Sequence, residues 1–93
     1  MAVSRAERRA LREPAVRALF GDRAAAALDL LELTEIAWHD AYREITPPDR
    51  VVDDLLVVSD GDLEVLVKAC RVAVQDSRDL HVWAESLRAS GLG

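Results

Sequence analysis

The stretch Ala24–Ile45, AAAALDLLELTEIAWHDAYREI, runs twenty-two residues with neither Gly nor Pro. Its only β-branched aliphatics are Ile36 and the closing Ile45, so local propensity favours helix throughout. At ~1.5 Å per residue such a helix is roughly 33 Å long, about the width of a small domain. Leu28, Leu31, Glu35, Trp38, Tyr42 and Ile45 recur at steps of three and four and line one side of it. Ala27, Leu30, Thr34, Ala37 and Ala41 form an adjoining row. The two rows cover about half the circumference, wider than the stripe of an ordinary surface helix. The helix therefore requires at least two neighbours.

A chain of 93 residues accommodates one domain, taken as 1–93. Half of the residues are hydrophobic but only 4% are aromatic, so the core is expected to be aliphatic. Charge is unevenly placed. Met1–Arg23 carries six Arg against Glu7, Glu13 and Asp22, or +3; the remainder carries six basic against fourteen acidic residues, or −8. A −8 body is a poor platform for phosphate backbones and disfavours nucleic acid as a partner. No apolar run approaches membrane length and the N-terminus lacks the apolar core of a signal peptide, so the expected location is cytoplasmic. One Cys excludes an internal disulfide and a Cys-rich metal knuckle. Eleven Arg to one Lys, fifteen Ala and no Asn suggest a bacterial genome of high GC content.

Along the chain, Ser4 and Glu7 form a capping box that starts a first helix. Pro14 is expected to kink or restart it at Glu13–Pro14. Leu11, Ala15, Ala18 and Leu19 share one face of this helix, and Arg5, Arg8, Arg9 and Arg12 an adjoining arc. Gly21 suits a left-handed stop, with Asp22 as N-cap of the long helix. Thr46-Pro47-Pro48-Asp49 reads as the start of a short helix from about Pro47 to Val57. Val51, Val52, Leu55 and Leu56 would face inward there, and Arg50, Asp53 and Asp54 outward.

Leu55–Val67 has two readings. Asp60-Gly61 between apolar runs is a hairpin signal; alternatively Ser59 caps a new helix. The three-four spacing of Leu63, Leu66, Cys70, Ala73, Ser77, Leu80, Ala84 and Leu87 favours helix. That last helix either runs unbroken to Ala89 or breaks near Gln75–Ser77, where Asp76 and Asp79 offer a second cap. Gly91 with Leu92 would close it in a Schellman stop. The predicted fold is all-α: a small helical bundle of four to five segments with two long antiparallel helices, Ala24–Ile45 and the last one.

Four sets of residues carry candidate chemistry. Glu35 with His39 and His81 with Glu85, each four apart, could converge on a metal across antiparallel helices, although bundle di-metal sites use Glu-x-x-His. The plainer reading makes His39 solvated and His81 a core residue. Arg5, Arg8, Arg9 and Arg12 could grip phosphate, or simply complement the acidic body. Cys70 falls within an apolar stripe and reads as a small hydrophobe. No glycine-rich phosphate loop or catalytic motif is present, so no enzymatic role and no cofactor is expected.

The remaining set is apolar. Val65, Ala69, Val72 and Trp83 form a second strip opposite Leu63–Val67–Cys70–Val74, and Ile36 sits alone in the polar arc of Ala24–Ile45. A helix apolar on two sides is either central or a partner surface. Val65, Val72, Trp83 and Ile36 are therefore the expected contacts of a non-catalytic protein–protein interaction or regulatory module, most simply a homodimer. A DNA-associated regulator using the Arg-rich first helix is the alternative, and a metal-binding helical bundle the third reading.

Overall fold

The computed structural model of the chain describes residues 3–91. Within them lie five α-helices and no strand: α1 (Arg5–Phe20), α2 (Ala24–Tyr42), α3 (Asp49–Ser59), α4 (Leu63–Gln75) and α5 (Ser77–Gly91). A single 3-10 turn, Gly21–Arg23, joins the first two. The all-α bundle expected from periodicity is thus the fold. Among the described residues no helix is long and apolar enough to cross a membrane.

The first helix starts as expected, with the Ser4 hydroxyl accepting from the Glu7 amide at 3.1 Å. Pro14 does not break it, and α1 passes through that position without a restart. The bond that Pro14 cannot make is to the carbonyl of Ala10, an exposed residue whose oxygen water can serve. The turn that follows is sharp. Thirty-eight residues of unbroken helix from 5 to 42 would measure roughly 57 Å, whereas the longest dimension of the molecule is 42 Å. Gly21, at φ 54° and ψ −120°, turns the chain back in a conformation that favours glycine. Asp22 does not cap α2, which begins without a side-chain cap.

The long helix ends three residues early, at Tyr42, with Arg43 left-handed at φ 62°. Ile45 falls outside it and is 67% exposed rather than part of the inner row. The third helix starts at Asp49 after Pro48, not at Pro47. The hairpin reading of Asp60-Gly61 does not hold, because these residues form a left-handed turn between α3 and α4. Asp62, not Ser59, caps α4, accepting from the amides of Glu64 and Val65. Gly61 sits at φ 83°, and a Cβ there would lie 2.5 Å from the carbonyl oxygen of Leu19.

The last helix breaks at Asp76, which is extended at φ −161° and accepts from the Arg78 amide at 3.0 Å. Tyr42 holds the break: its hydroxyl donates to the Ala73 carbonyl at 2.9 Å and accepts from the Ser77 amide at 3.2 Å. The stop expected with Leu92 lies outside the described residues.

Helix direction corrects one expectation. The longest two helices are antiparallel, but they are α1 and α2, folded together at Gly21. Of the two helices into which the last one divides, α4 pairs with α2, and the pairing is parallel. Asp22 and Arg23, just before α2, share a cleft with Asp60–Glu64, Thr34 lies by Cys70, and Tyr42 reaches Ala73. The core between these layers is largely aliphatic: Val16, Leu28, Leu31, Leu55, Leu66 and Leu80 are buried with Phe20 and Trp38. The Trp38 and Tyr42 rings pack at the end of α2 with centroids 4.1 Å apart and planes tilted by 39°.

Candidate functional site

A surplus of apolar surface is present, but on the other flank of α4 from the one expected. Leu66, Ala69, Cys70 and Ala73 form the buried line of that helix. Val65 and Val72 flank it on one side and, with Trp83 of α5, pack half-buried against the molecule's own core. That strip is covered internally. On the opposite flank Val67 is 51% exposed, with Leu63 and Val74 half-buried beside it.

Across from Val67 stands the outer edge of α2. There Ala26, Leu30, Leu33, Ala37 and Ala41 follow one another without a polar residue in the row, and Leu33 is 61% exposed. Together the two edges enclose a shallow cleft of about 390 Å³, floored by Thr34 and Cys70, with Arg71 and Gln75 at one rim. This apolar face is built by the parallel pairing of α2 and α4. Ile36, also expected as a partner contact, is 46% exposed but sits on the other side of α2, in a cleft with Arg5, Arg8, His39 and Ile45.

Cys70 is shielded at the cleft floor, where burial pushes its thiol above the ordinary value and the contact with Thr34 offsets this only in part. Such a thiol is a poor nucleophile at neutral pH.

The four arginines Arg5, Arg8, Arg9 and Arg12 of α1 are engaged within the molecule. Glu35, 1% exposed, receives Arg8 at 2.6 Å and 3.2 Å, Arg12 at 3.3 Å and the Thr46 hydroxyl at 2.7 Å, with Arg5 at 3.6 Å. Arg9 pairs with Asp29 at 2.7 Å and Glu32 at 3.4 Å. Burial raises the Glu35 carboxyl, but the bonds from Arg8 and Thr46 and the charge of Arg12 outweigh it and hold the group below its ordinary value. Thr46, in the stretch read as the start of a short helix, bonds into this cluster instead.

The metal candidates do not meet. Glu35 is committed to arginines, and a ring nitrogen of His39 lies 3.1 Å from the Glu44 carbonyl oxygen. His81 and Glu85 belong to a separate cluster on α5, which shares no extended interface with α2. Among the described residues no three His, Cys, Asp or Glu side chains gather as metal ligands.

That second cluster centres on Asp54, expected outward but 3% exposed. Its carboxylate receives Arg88 at 2.9 Å and stands 3.2 Å from Nδ1 of His81, tying α3 to α5. His81 is not a core residue; its side chain is 58% exposed at the mouth of a 190 Å³ cavity with Arg50, Ser77 and Arg78. A signal for Asp54 was available. Val51, Asp54 and Val58 stand three and four apart, which places the carboxylate in the inner row of α3.

No family model matches the chain, and no curated protein or solved structure matches it.

Proposed function

We propose that this chain is a small, non-catalytic helical interaction module that self-associates through the apolar face of α2 and α4. The observation that supports the reading is the exposure of Leu33 and Val67 on facing edges of α2 and α4, with Leu30, Ala37, Leu63 and Val74 half-buried beside them, an apolar face on a chain that is 31% charged. Contiguous exposed apolar surface of this kind marks association sites more often than scattered single residues do. Face-to-face packing of two such pairs gives four helices around one seam.

The rims favour a second copy as occupant. Asp40 and Asp29, the latter paired with Arg9, border the face on α2, and Lys68 and Arg71 border it on α4, all four exposed. A two-fold arrangement that sets α2 of one copy over α4 of the next brings the acidic rim onto the basic rim twice.

The test is L33E/V67E, measured by light scattering coupled to size exclusion across micromolar to millimolar protein. Wild type is expected to exceed its 10.2 kDa monomer mass with rising concentration. The double variant should remain at monomer mass with unchanged helicity, since both side chains are already half or more exposed. A wild type that stays monomeric throughout that range would refute the proposal.

A further inference from the structure

We infer that Arg5–Glu13, the first half of α1, is a basic arm that exchanges the carboxylates of α2 for the phosphates of a nucleic acid backbone, swinging on Pro14. Three independent observations converge on this device. The first is the distribution of burial. Val16 and Phe20 are the buried residues of α1, and both follow Pro14. Nothing from Arg5 to Ala15 is buried, so the second half is anchored by apolar packing and the first half is not.

The second observation is what holds the first half. Its attachments are ionic: Arg5, Arg8 and Arg12 on Glu35, and Arg9 on Asp29 and Glu32, with Arg12 also bonded to Thr46. Glu13 turns away to Arg17 at 2.6 Å. Four arginines against Glu7 and Glu13 leave the arm at +2, and Asp29, Glu32 and Glu35 make the clamp −3. Three phosphates can therefore replace the clamp charge for charge. Lifting the arm uncovers the carboxylates and Ile36, which is already half-exposed, and opens the cleft that Arg8, Leu11, Arg12 and Ala15 share with Val52 and Leu56 of α3; Leu11, the arm's own large apolar side chain, is already 74% exposed and gives up little contact.

The third observation is the position of Pro14, at the junction of the two halves. A helix interior that lacks one backbone bond is where bending is least costly. The released arginines occupy one side of roughly 10 Å of helix, a length that meets several phosphates of a duplex. Apart from alanines the arm carries only Leu11 as an apolar side chain and no aromatic, too little to seat in a bilayer interface. The arm therefore suits a phosphate backbone better than a membrane. In the docked state it is masked, which reconciles an Arg-rich helix with an acidic molecule.

The experiment is fluorescence anisotropy of a labelled duplex of about 20 base pairs with the full chain at low salt, where phosphate contacts are strongest. D29N/E32Q weakens the clamp at two surface positions; it should bind about threefold to tenfold tighter than wild type, as expected for two exposed ion pairs. Its affinity should fall with salt at a log–log slope of about −3, for three phosphates neutralised. R5A/R9A, which leaves Glu35 its two closest arginines, should lose most of the binding. Hydrogen exchange gives a readout without ligand: amides of residues 8–13 should exchange faster than those of 17–20, more so with added salt, and Pro14→Ala should narrow the gap. Four results would overturn the inference: equal affinity in wild type and D29N/E32Q, binding that survives R5A/R9A, uniform protection along α1, or binding to phosphatidylglycerol vesicles without binding to the duplex.

Discussion

Glu35 occupies a position between Leu31 and Trp38 where an aliphatic residue would continue the inner row, and it remains ionised there because two guanidinium groups and a hydroxyl reach it. Its folded pKa lies below the ordinary 4.5. A carboxyl with a depressed folded pKa stabilises the native state above the unfolded value, and that contribution is lost as pH falls through the folded value. The urea midpoint should therefore be flat from about pH 7 to 5 and decline at lower pH, with Glu35→Gln flattening the decline. At neutral pH the same substitution should cost about 2–3 kcal/mol, because Arg8 and Arg12 lose their anionic partner while keeping a hydrogen-bond acceptor. Gly61 is the other decisive position. Gly61→Ala combines a positive φ with a Cβ placed 2.5 Å from the Leu19 carbonyl. It should destabilise by about 2 kcal/mol or more in urea titration. Periodicity placed Glu35 correctly in the inner row, yet its partners lie 23 and 27 residues away in sequence, beyond the reach of local pattern.

Each helix carried a readable signal for its own existence, and less for its surroundings. The three-four repeat identified α2, α4 and α5, and Asp76 marked the site where the last two separate. Which flank of α4 faces outward was not readable. Val65 and Val72 on one side, and Leu63, Val67 and Val74 on the other, border the same buried line and are equally apolar. What covers the first flank is the placement of α3 and α5, a long-range fact. Val72→Glu accordingly tests packing within one chain: an unpaired carboxylate against the core should unfold the protein, seen as lost far-ultraviolet dichroism, rather than release a folded monomer. Tyr42→Phe addresses the break. It removes the acceptor of the Ser77 amide and the donor to Ala73 together. About 1–3 kcal/mol should be lost by thermal or urea unfolding, with helicity retained.

At the scale of the molecule, the five helices of the described residues enclose one core, yet the chain passes between two groups of them only once. Residues 5–42 fold back at Gly21–Arg23, and residues 49–91 turn at 60–62 and at Asp76. The two groups meet chiefly where α2 lies on α4, joined by residues 43–48. This division has a kinetic consequence. Turns of three residues or fewer close early, on the time scale of local helix pairing, whereas Tyr42 can find Ala73 only once a segment of 31 residues has been gathered in. The mating of the two groups is therefore expected to be the slow step of refolding. Tyr42→Phe and Thr34→Val should slow it in stopped-flow measurements, while substitutions at Arg5 and Arg9 leave that rate unchanged and quicken unfolding instead.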